Sequence, residues 1–174
     1  VEAGKMELQY SSVSIKQLFN DLKLVFTQKI DAKDLMLKID LAEDLPEWLI
    51  LDETRLRQIL INFIGNALKF TEFGYIRLVA SCHYAEKSQS SVNLKLVVED
   101  SGKGIAADQQ EKIFEAFEQH AGQKAAEYGG TGLGLAISKK LINMMQGVVT
   151  LDSVVGRGSS FIIDLPGVEV AAAG

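Results

Sequence analysis

The sequence predicts an α/β domain in which a mixed β-sheet is covered by helices on one face, and three observations support this. The chain has 174 residues, of which 47% are hydrophobic, so one domain with a sizeable core is expected. Helical and strand patterns are interspersed without the strict alternation of a wholly parallel sheet. The last two strands are joined by the turn Gly156-Arg157-Gly158, which indicates an antiparallel hairpin.

The first part of the chain contains two amphipathic helices separated by a strand. Ser14 can cap a helix from about Ile15 to Ile30, in which apolar residues recur with helical spacing. Leu35 to Leu41 alternates apolar and polar residues, as a strand with one buried face does. Asp52 can then cap a second helix that runs to about Phe70.

Two further strands follow in the middle of the chain. Tyr75 to Tyr84 and Val92 to Glu99 are rich in β-branched and other apolar residues. The polar, serine-rich stretch Glu86 to Ser91 separates them and has the composition of a hairpin loop. We therefore expect these strands to pair with each other.

The remainder of the chain alternates helix, polar segment, helix and hairpin. A short helix is predicted near Asp108 to Phe114, followed by a segment of small and polar residues from about Glu118 to Tyr128. The next helix runs to about Gln146. The final hairpin consists of Val148 to Ser153 and Ser159 to Leu165.

Charge and cysteine content restrict the classes of function. The 23 acidic residues exceed the 18 basic ones, and the net charge of −5 argues against non-specific nucleic-acid binding. Cys82 is the only cysteine, so an internal disulfide is impossible and a reducing, cytoplasmic location is expected for this domain. No apolar run approaches the roughly 18 residues that span a bilayer. A larger parent protein anchored in the inner membrane is compatible with this.

The second predicted helix carries an unusual polar stripe. On a helical wheel, Asn62, Asn66 and Lys69 lie together beside the apolar face. Asparagine is unfavourable inside helices, so two of them one turn apart need an explanation. An Asn oxygen suits a hard cation such as Mg²⁺, and the lysine could meet a phosphate. A solvated polar face explains the pattern equally well.

A carboxylate stands where one strand ends. Asp100 occupies the next position in the alternating series of apolar residues of the strand before it. Its side chain is therefore expected on the buried face. Burial of a carboxylate is unfavourable unless a donor meets it, and the amino group of a purine is such a donor. Gly102 and Gly104 would permit close backbone approach beside the ring. An Asx turn that caps the strand is the competing interpretation.

The third motif is a glycine-rich segment before a helix. Gly129 to Leu135 reads GGTGLGL, and Thr131 can cap the helix that follows. Free N–H groups and the dipole at such an N-terminus attract phosphate. The segment lacks the preceding strand of a dinucleotide-binding fold and the Gly-Lys-Ser/Thr of a Walker A loop. A flexible glycine hinge is the alternative.

In this order, the motifs resemble the ATP-binding catalytic domain of bacterial sensor histidine kinases, particularly the hybrid type. That family belongs to the superfamily of gyrase, Hsp90, histidine kinase and mismatch-repair ATPases. The similar segments are LRQILINFIGNALKFT (56–71, N box), DSGKGI (100–105, G1 box), IFEAFEQ (113–119, F box), GGTGLGLAISKKL (129–141, G2 box) and GRGSSF (156–161, closing turn). The resemblance implies the Bergerat fold, a two-layer α/β (α+β) sandwich of about five strands and about three helices.

The resemblance also implies roles for residues of the N box. Asn66 would be the Mg²⁺ ligand, and Asn62 would line the metal and phosphate region. Lys69 would contact phosphate, and Phe70 would pack near the adenine. Asn62, Asn66 and Lys69 would together form the catalytic set.

The remaining boxes would complete an ATP site. Asp100 would accept a hydrogen bond from the adenine amino group, beside a wall shaped by Gly102, Gly104 and Ile105. Residues 118–128 would form the ATP lid. The residues implied to hold the triphosphate are Gly130, Thr131, Gly132, Leu133 and Gly134.

The chain departs from the superfamily pattern at two places. Members that hydrolyse ATP place a general-base Glu where this chain has Asn62, and an amide cannot take a proton from water. This fits a kinase that preserves the γ-phosphate for transfer. In the lid, hybrid-type kinases often carry a basic residue just before the tyrosine, but Glu127 precedes Tyr128 here. Lys124 or Gln119 could substitute.

The family function requires partners. Neither His83 nor His120 has the helical, acid-flanked context of a phosphoacceptor, so the acceptor is expected on a dimerisation domain of the same, homodimeric parent protein. A receiver domain of a response regulator would follow downstream. The expected organisation is a junction at 1–10, the catalytic domain at 11–166 and a linker or tail at 167–174.

Two other functions share the same motifs. A superfamily ATPase could use its nucleotide state to drive dimer closure, although Asn62 opposes hydrolysis. A non-catalytic nucleotide-binding or interaction module is the second alternative, and the weakened lid motivates it. Steady ATP hydrolysis would favour the first alternative, and failure to bind ATP would favour the second.

Overall fold

A computed structural model describes residues 7–85, 88–108, 110 and 132–172. In chain order the elements are β1 (Ser11–Val13), α1 (Ile15–Ala32), β2 (Met36–Leu41), β3 (Leu49–Leu51), α2 (Glu53–Phe70), β4 (Tyr75–Ala85), β5 (Ser88–Asp100), α3 (Gly132–Met144), β6 (Val148–Val154) and β7 (Gly158–Glu169). None of the helices within these ranges is both long and apolar enough to cross a membrane.

The main sheet is mixed, as predicted. Its five strands lie in the order β2-β4-β5-β7-β6. β2 pairs with β4 in parallel, and the other neighbours are antiparallel, including the predicted β6–β7 hairpin. Along β5, every second residue from Val92 to Asp100 is buried and the residues between them are at least partly exposed. The helices therefore cover one face of the sheet.

Helices α1 and α2 begin at the predicted caps. The Ser14 side chain accepts a hydrogen bond from the N–H of Gln17, and Asp52 accepts one from the N–H of Arg55. Each cap satisfies an otherwise unpaired donor of the first helical turn. The second oxygen of Asp52 accepts a hydrogen bond from Gln9 N–H at 2.7 Å, which also attaches the entering chain to α2.

Helix α2 packs on the centre of the sheet. The ring of Phe63 stacks on that of Phe161 in β7, with centroids 4.9 Å apart. The residues of α2 that are buried are Leu56, Ile59, Leu60, Phe63, Ile64, Asn66, Ala67 and Leu68. One polar residue, Asn66, therefore shares the environment of the apolar core.

The structure differs from the sequence prediction at several boundaries. β1 pairs with β3 in a separate two-stranded sheet and lies outside every predicted element, because three residues are too few for a periodic signal. β5 begins at Ser88, four residues before the predicted start, so the strand takes up part of the predicted loop. α3 ends at Met144, because Gln146 adopts a left-handed φ of 63° that terminates the helix.

The last strand extends past its predicted end. β7 was expected to stop at Leu165, and residues after 166 were expected to form a linker, but the strand continues to Glu169 and Val168 is buried. Pro166 and Gly167 together oppose Asn93 of β5, which is the arrangement of a β-bulge. The bulge accommodates the proline and glycine that marked a strand end in the sequence. The predicted helix at 108–114 falls almost entirely outside the described residues.

A lysine that directly follows α1 closes the C-terminal end of α2. Lys33 Nζ donates hydrogen bonds to the carbonyl oxygens of Leu68 and Thr71, the latter at 3.1 Å. The last carbonyl groups of a helix lack intrahelical partners and carry the negative end of the dipole. Lys33 supplies a hydrogen-bond donor and a positive charge to these carbonyl groups. It also attaches the end of α2 to the end of α1.

We predict that Lys33→Met lowers the free energy of unfolding by about 1–2 kcal/mol, because it removes charge-assisted hydrogen bonds from the end of α2. Urea denaturation followed by circular dichroism measures this change. Lys23→Met is the matched control, because Lys23 is an exposed residue of α1, the helix that Lys33 follows. Equal stability of the two variants would contradict the capping role.

Candidate functional site

The three polar residues predicted on α2 differ in their exposure. Asn62 is half-buried, Asn66 has only 2% of its surface exposed, and Lys69 is exposed. They lie along one edge of the helix face that packs against the domain. The burial of Asn66 contradicts the alternative of a wholly solvated polar face.

Asn62 connects two helices. Its Nδ2 donates a hydrogen bond to Ser138 Oγ at 3.0 Å, and Ser138 is fully buried on α3. The side chain therefore fixes α3 against α2. An amide in this position cannot act as a general base.

Asn66 directs its amide nitrogen back into its own helix. Nδ2 donates to the carbonyl oxygen of Asn62 at 3.0 Å, which leaves Oδ1 as the available polar atom of a buried side chain. No group of three or more His, Cys, Asp or Glu side chains that could hold a metal ion occurs within the described ranges. A cation here would need few protein ligands, which is how Mg²⁺ binds together with phosphate oxygens and water.

Phe70, at the end of α2, is flanked by two lysines. The ammonium of Lys69 lies 5.5 Å from the centre of its ring, and that of Lys103 lies 5.4 Å from it. Both distances are within cation–π range. An open cleft of about 290 Å³ combines this positive charge with aromatic surface; it is lined by Lys69, Phe70, Glu72, Phe73, Ser101, Gly102 and Lys103.

Asp100 ends β5 with its side chain on the buried face, as its parity predicted, and only 5% of the residue is exposed. Its Oδ1 accepts a hydrogen bond from Gly102 N–H at 2.9 Å. This bond is the Asx turn that the competing interpretation required. The two interpretations are therefore compatible, because one oxygen closes the turn and the carboxylate retains further acceptor capacity.

Burial raises the pKa of Asp100 above its usual value. The N–H groups of Gly102 and Ser159 and the hydroxyl of Thr71 oppose this shift in pKa, and the negative charge of Glu99 adds to it. The Thr71 hydroxyl is buried and makes no hydrogen bond of ordinary geometry with the described residues. Desolvation dominates, and the carboxylate lies in an environment that favours an additional donor.

The glycines of the second motif are required by the protein's own backbone. A Cβ at Gly102 would lie 2.4 Å from the carbonyl oxygen of Phe70. Gly104 has a φ of 77°, and a Cβ there would lie 2.3 Å from the carbonyl oxygen of Val154. The sequence pattern predicts that these glycines admit a ligand ring, whereas the close approach in the structure is between chain segments. Ile105 follows, half-buried.

The third motif is only partly described. α3 begins at Gly132, so a helix N-terminus lies where the glycine-rich segment predicted one, with Leu133 and Gly134 in its first turn. Gly130 and Thr131 lie outside the described residues, as do the F box and the predicted lid at 118–128. The hydrogen bond between Asn62 and Ser138 brings this helix to the N box.

Several residues around the site were missed by sequence reasoning. Ser138 interrupts the apolar stripe of α3 between Leu135 and Leu141, and that interruption is a detectable signal. Thr71 and Lys103 carry no periodic signal, because each lies in the irregular chain after an element. Their positions beside Asp100 and Phe70 follow only from tertiary structure.

Comparison with known proteins places this geometry in a family. The model of histidine kinase-, DNA gyrase B- and HSP90-like ATPases matches residues 51–169, which contain α2, Asp100 and α3. The chain belongs to this family. Within it, the predicted assignment to the ATP-binding catalytic domains of histidine kinases is confirmed, and the predicted fold with it.

The relatives are sensor kinases. Over 95% of its own length, this chain is 38% identical to the sensor histidine kinase GacS of Pseudomonas protegens. The matched region is only 18% of the length of GacS. A structure of full-length ShkA in complex with AMPPNP superposes with a TM-score of 0.81 at 35% identity, covering 98% of this chain and 34% of ShkA. The catalytic domain of the histidine kinase ThkA gives a TM-score of 0.70 at 28% identity, with coverage of 91% and 96%.

We predict that Asp100→Asn stabilises the nucleotide-free protein at neutral pH. Because the folded-state pKa of Asp100 is raised, the ionised carboxylate opposes folding, and this cost disappears as pH falls through that pKa. The stability difference between variant and wild type should therefore shrink on acidification. Thermal unfolding across a pH series measures it.

The control for this series is Asp152→Asn, at an exposed position of β6. It should give no comparable gain at any pH. A loss of stability in Asp100→Asn at neutral pH would show that the carboxylate supports the fold rather than opposing it.

Proposed function

We propose that this chain binds Mg-ATP and donates the γ-phosphate to a histidine on a separate dimerisation domain, in two-component signal transduction. One observation carries the proposal: Asn62 lies at the position where hydrolysing superfamily members hold a glutamate. Its amide donates a hydrogen bond to Ser138. With no base at that position to activate water, the γ-phosphate is preserved for another acceptor.

The geometry supports a separate role for each residue of this site. Asp100 would accept a hydrogen bond from the adenine amino group, next to Phe70 and the backbone of Gly102. Asn66 Oδ1 would hold Mg²⁺, which when bound neutralises phosphate charge. Lys69 would contact the phosphates. Phosphoryl transfer depends mainly on positioning and charge neutralisation, and these residues supply both.

The N-terminal turn of α3 would complete the phosphate site. Its first residues are Gly132, Leu133 and Gly134, whose backbone N–H groups have no intrahelical partner. Such an N-terminus attracts phosphate through these donors and through the helix dipole. Gly130 and Thr131 are proposed to extend the same cradle.

The acceptor is proposed to lie on another domain. His83 is an exposed residue of strand β4, which is not the helical setting that phosphotransfer requires. The relatives named as sensor kinases are several times longer than this chain. We infer a homodimeric parent in which the catalytic domain runs from residue 11 to the end of β7 at Glu169, with a receiver domain as the downstream partner.

Phosphotransfer can be measured directly. The chain is mixed with the dimerisation domain of its parent protein and radiolabelled ATP, and acid-labile, base-stable phosphate is quantified. We predict that Asn66→Asp and Asp100→Asn each reduce phosphohistidine at least about tenfold. Asn66→Asp replaces the donor to the Asn62 carbonyl oxygen by a carboxylate oxygen that this carbonyl repels. Asp100→Asn replaces a charged acceptor for the adenine amino group by a neutral amide.

Asn143→Asp makes the same chemical change as Asn66→Asp, but at an exposed position of α3, and should retain wild-type transfer. Absence of phosphohistidine with the wild-type chain would refute the proposal, as would full activity of both site variants. Steady release of inorganic phosphate by the chain alone would instead favour a nucleotide-driven ATPase.

A further inference from the structure

Side chains form hydrogen bonds with both backbone polar groups of Ile105. Its N–H donates to Ser153 Oγ at 2.7 Å, and its carbonyl oxygen accepts from Gln110 Nε2 at 2.8 Å. The same Gln110 amide donates to the carbonyl oxygen of Ser153 at 3.0 Å. Gln110 and Ser153 therefore clamp the segment that follows Asp100 and the two glycines.

The Ser153 hydroxyl has its full complement of hydrogen bonds. It lies 3.0 Å from the carbonyl oxygen of Gly158, to which it donates, and 2.7 Å from Ser159 Oγ. A hydroxyl has one proton to donate and two lone pairs to accept with. Donation to Gly158 leaves both lone pairs for Ile105 N–H and Ser159 O–H, so removal of this hydroxyl leaves two donors without a partner.

The residues held by Ser153 also surround Asp100. Ser159 is buried and lies directly opposite Asp100 in the β5–β7 ladder, and its N–H is one of the groups that act on the carboxylate. A Cβ at Gly158 would lie 2.1 Å from the carbonyl oxygen of Asp100, so the two backbones are in close contact. Displacement of Gly158 or Ser159 would therefore change the position of the carboxylate.

We propose that Ser153 is a positioning residue for purine selectivity: its hydroxyl holds the Ile105 peptide and the Gly158–Ser159 backbone in the arrangement that aims Asp100 at the adenine amino group. The inference rests on the proposed role of Asp100 in ATP binding. A carboxylate in a fixed position accepts from the amino group of adenine and repels the carbonyl oxygen that guanine presents there. A less constrained carboxylate loses affinity for ATP and loses this discrimination.

The test compares wild type, Ser153→Ala, Ser153→Thr and Ser160→Ala in the whole chain. Ser160 is the matched control, because it lies next to Ser159 on the opposite, open face of the sheet. Competition against a fluorescent ATP analogue in the presence of Mg²⁺ gives the Kd of ATP and of GTP, and thermal unfolding without nucleotide reports stability.

We expect Ser153→Ala to raise the Kd of ATP about tenfold while the Kd of GTP changes by less than about twofold, which lowers selectivity about tenfold. Ser153→Thr retains the hydroxyl and should restore selectivity, and Ser160→Ala should match wild type. A purely structural role would lower the unfolding temperature and weaken both nucleotides in parallel, and that result would overturn the inference. An unchanged Kd of ATP in Ser153→Ala would also overturn it.

If Ser153→Ala does not fold, Gln110→Leu provides the second test, because it removes the clamp on Ile105 and leaves the hydroxyl in place. A loss of selectivity of about threefold is expected from one weakened neutral contact, and unchanged selectivity would overturn the inference. Failure of the wild-type chain to bind ATP is a separate outcome. It would refute the proposed function before any substitution is made.

Discussion

The packing of α2 on the centre of the sheet positions the polar residues of the site. The stacked rings of Phe63 and Phe161 join this helix to β7, the strand that also pairs with the end of β5. Because one helix face must be buried, the residue next to it on the polar stripe is buried as well. Asn66 acquires its desolvated position in this way, and Lys69 and Phe70 reach the cleft beside Gly102.

Burial of polar groups is unfavourable, and this site contains more than one buried polar group. Asp100 has a raised pKa because desolvation outweighs its hydrogen bonds. Asn66 satisfies its amide nitrogen within the helix and leaves its oxygen available. Such groups reduce stability in the absence of ligand, and a ligand that supplies a donor or a cation recovers part of the loss. Lys33, by contrast, stabilises the end of α2 without entering the site.

Much of this fold could be predicted from the sequence because its signals are local. The caps at Ser14 and Asp52 and the alternation of β2 each depend on residues close together in the chain. β1 could not be predicted, because a three-residue strand has no period and is stabilised by a partner about 40 residues away. The extension of β7 was missed because Pro166 and Gly167 form a bulge, which a sequence pattern does not distinguish from a strand end.

The types of groups available and their order follow directly from the sequence: two helical amides, a carboxylate at a strand end, and glycines before a helix. Their parity and periodicity also determined which side of each element they occupy. Which of these groups are desolvated, and which residues hold them, follows from the packing of the elements. Asn62 joins Ser138, Asp100 lies opposite Ser159, and Ser153 holds Ile105. These contacts join residues far apart in the chain, and their geometry arises when the sheet and the helices pack around one core.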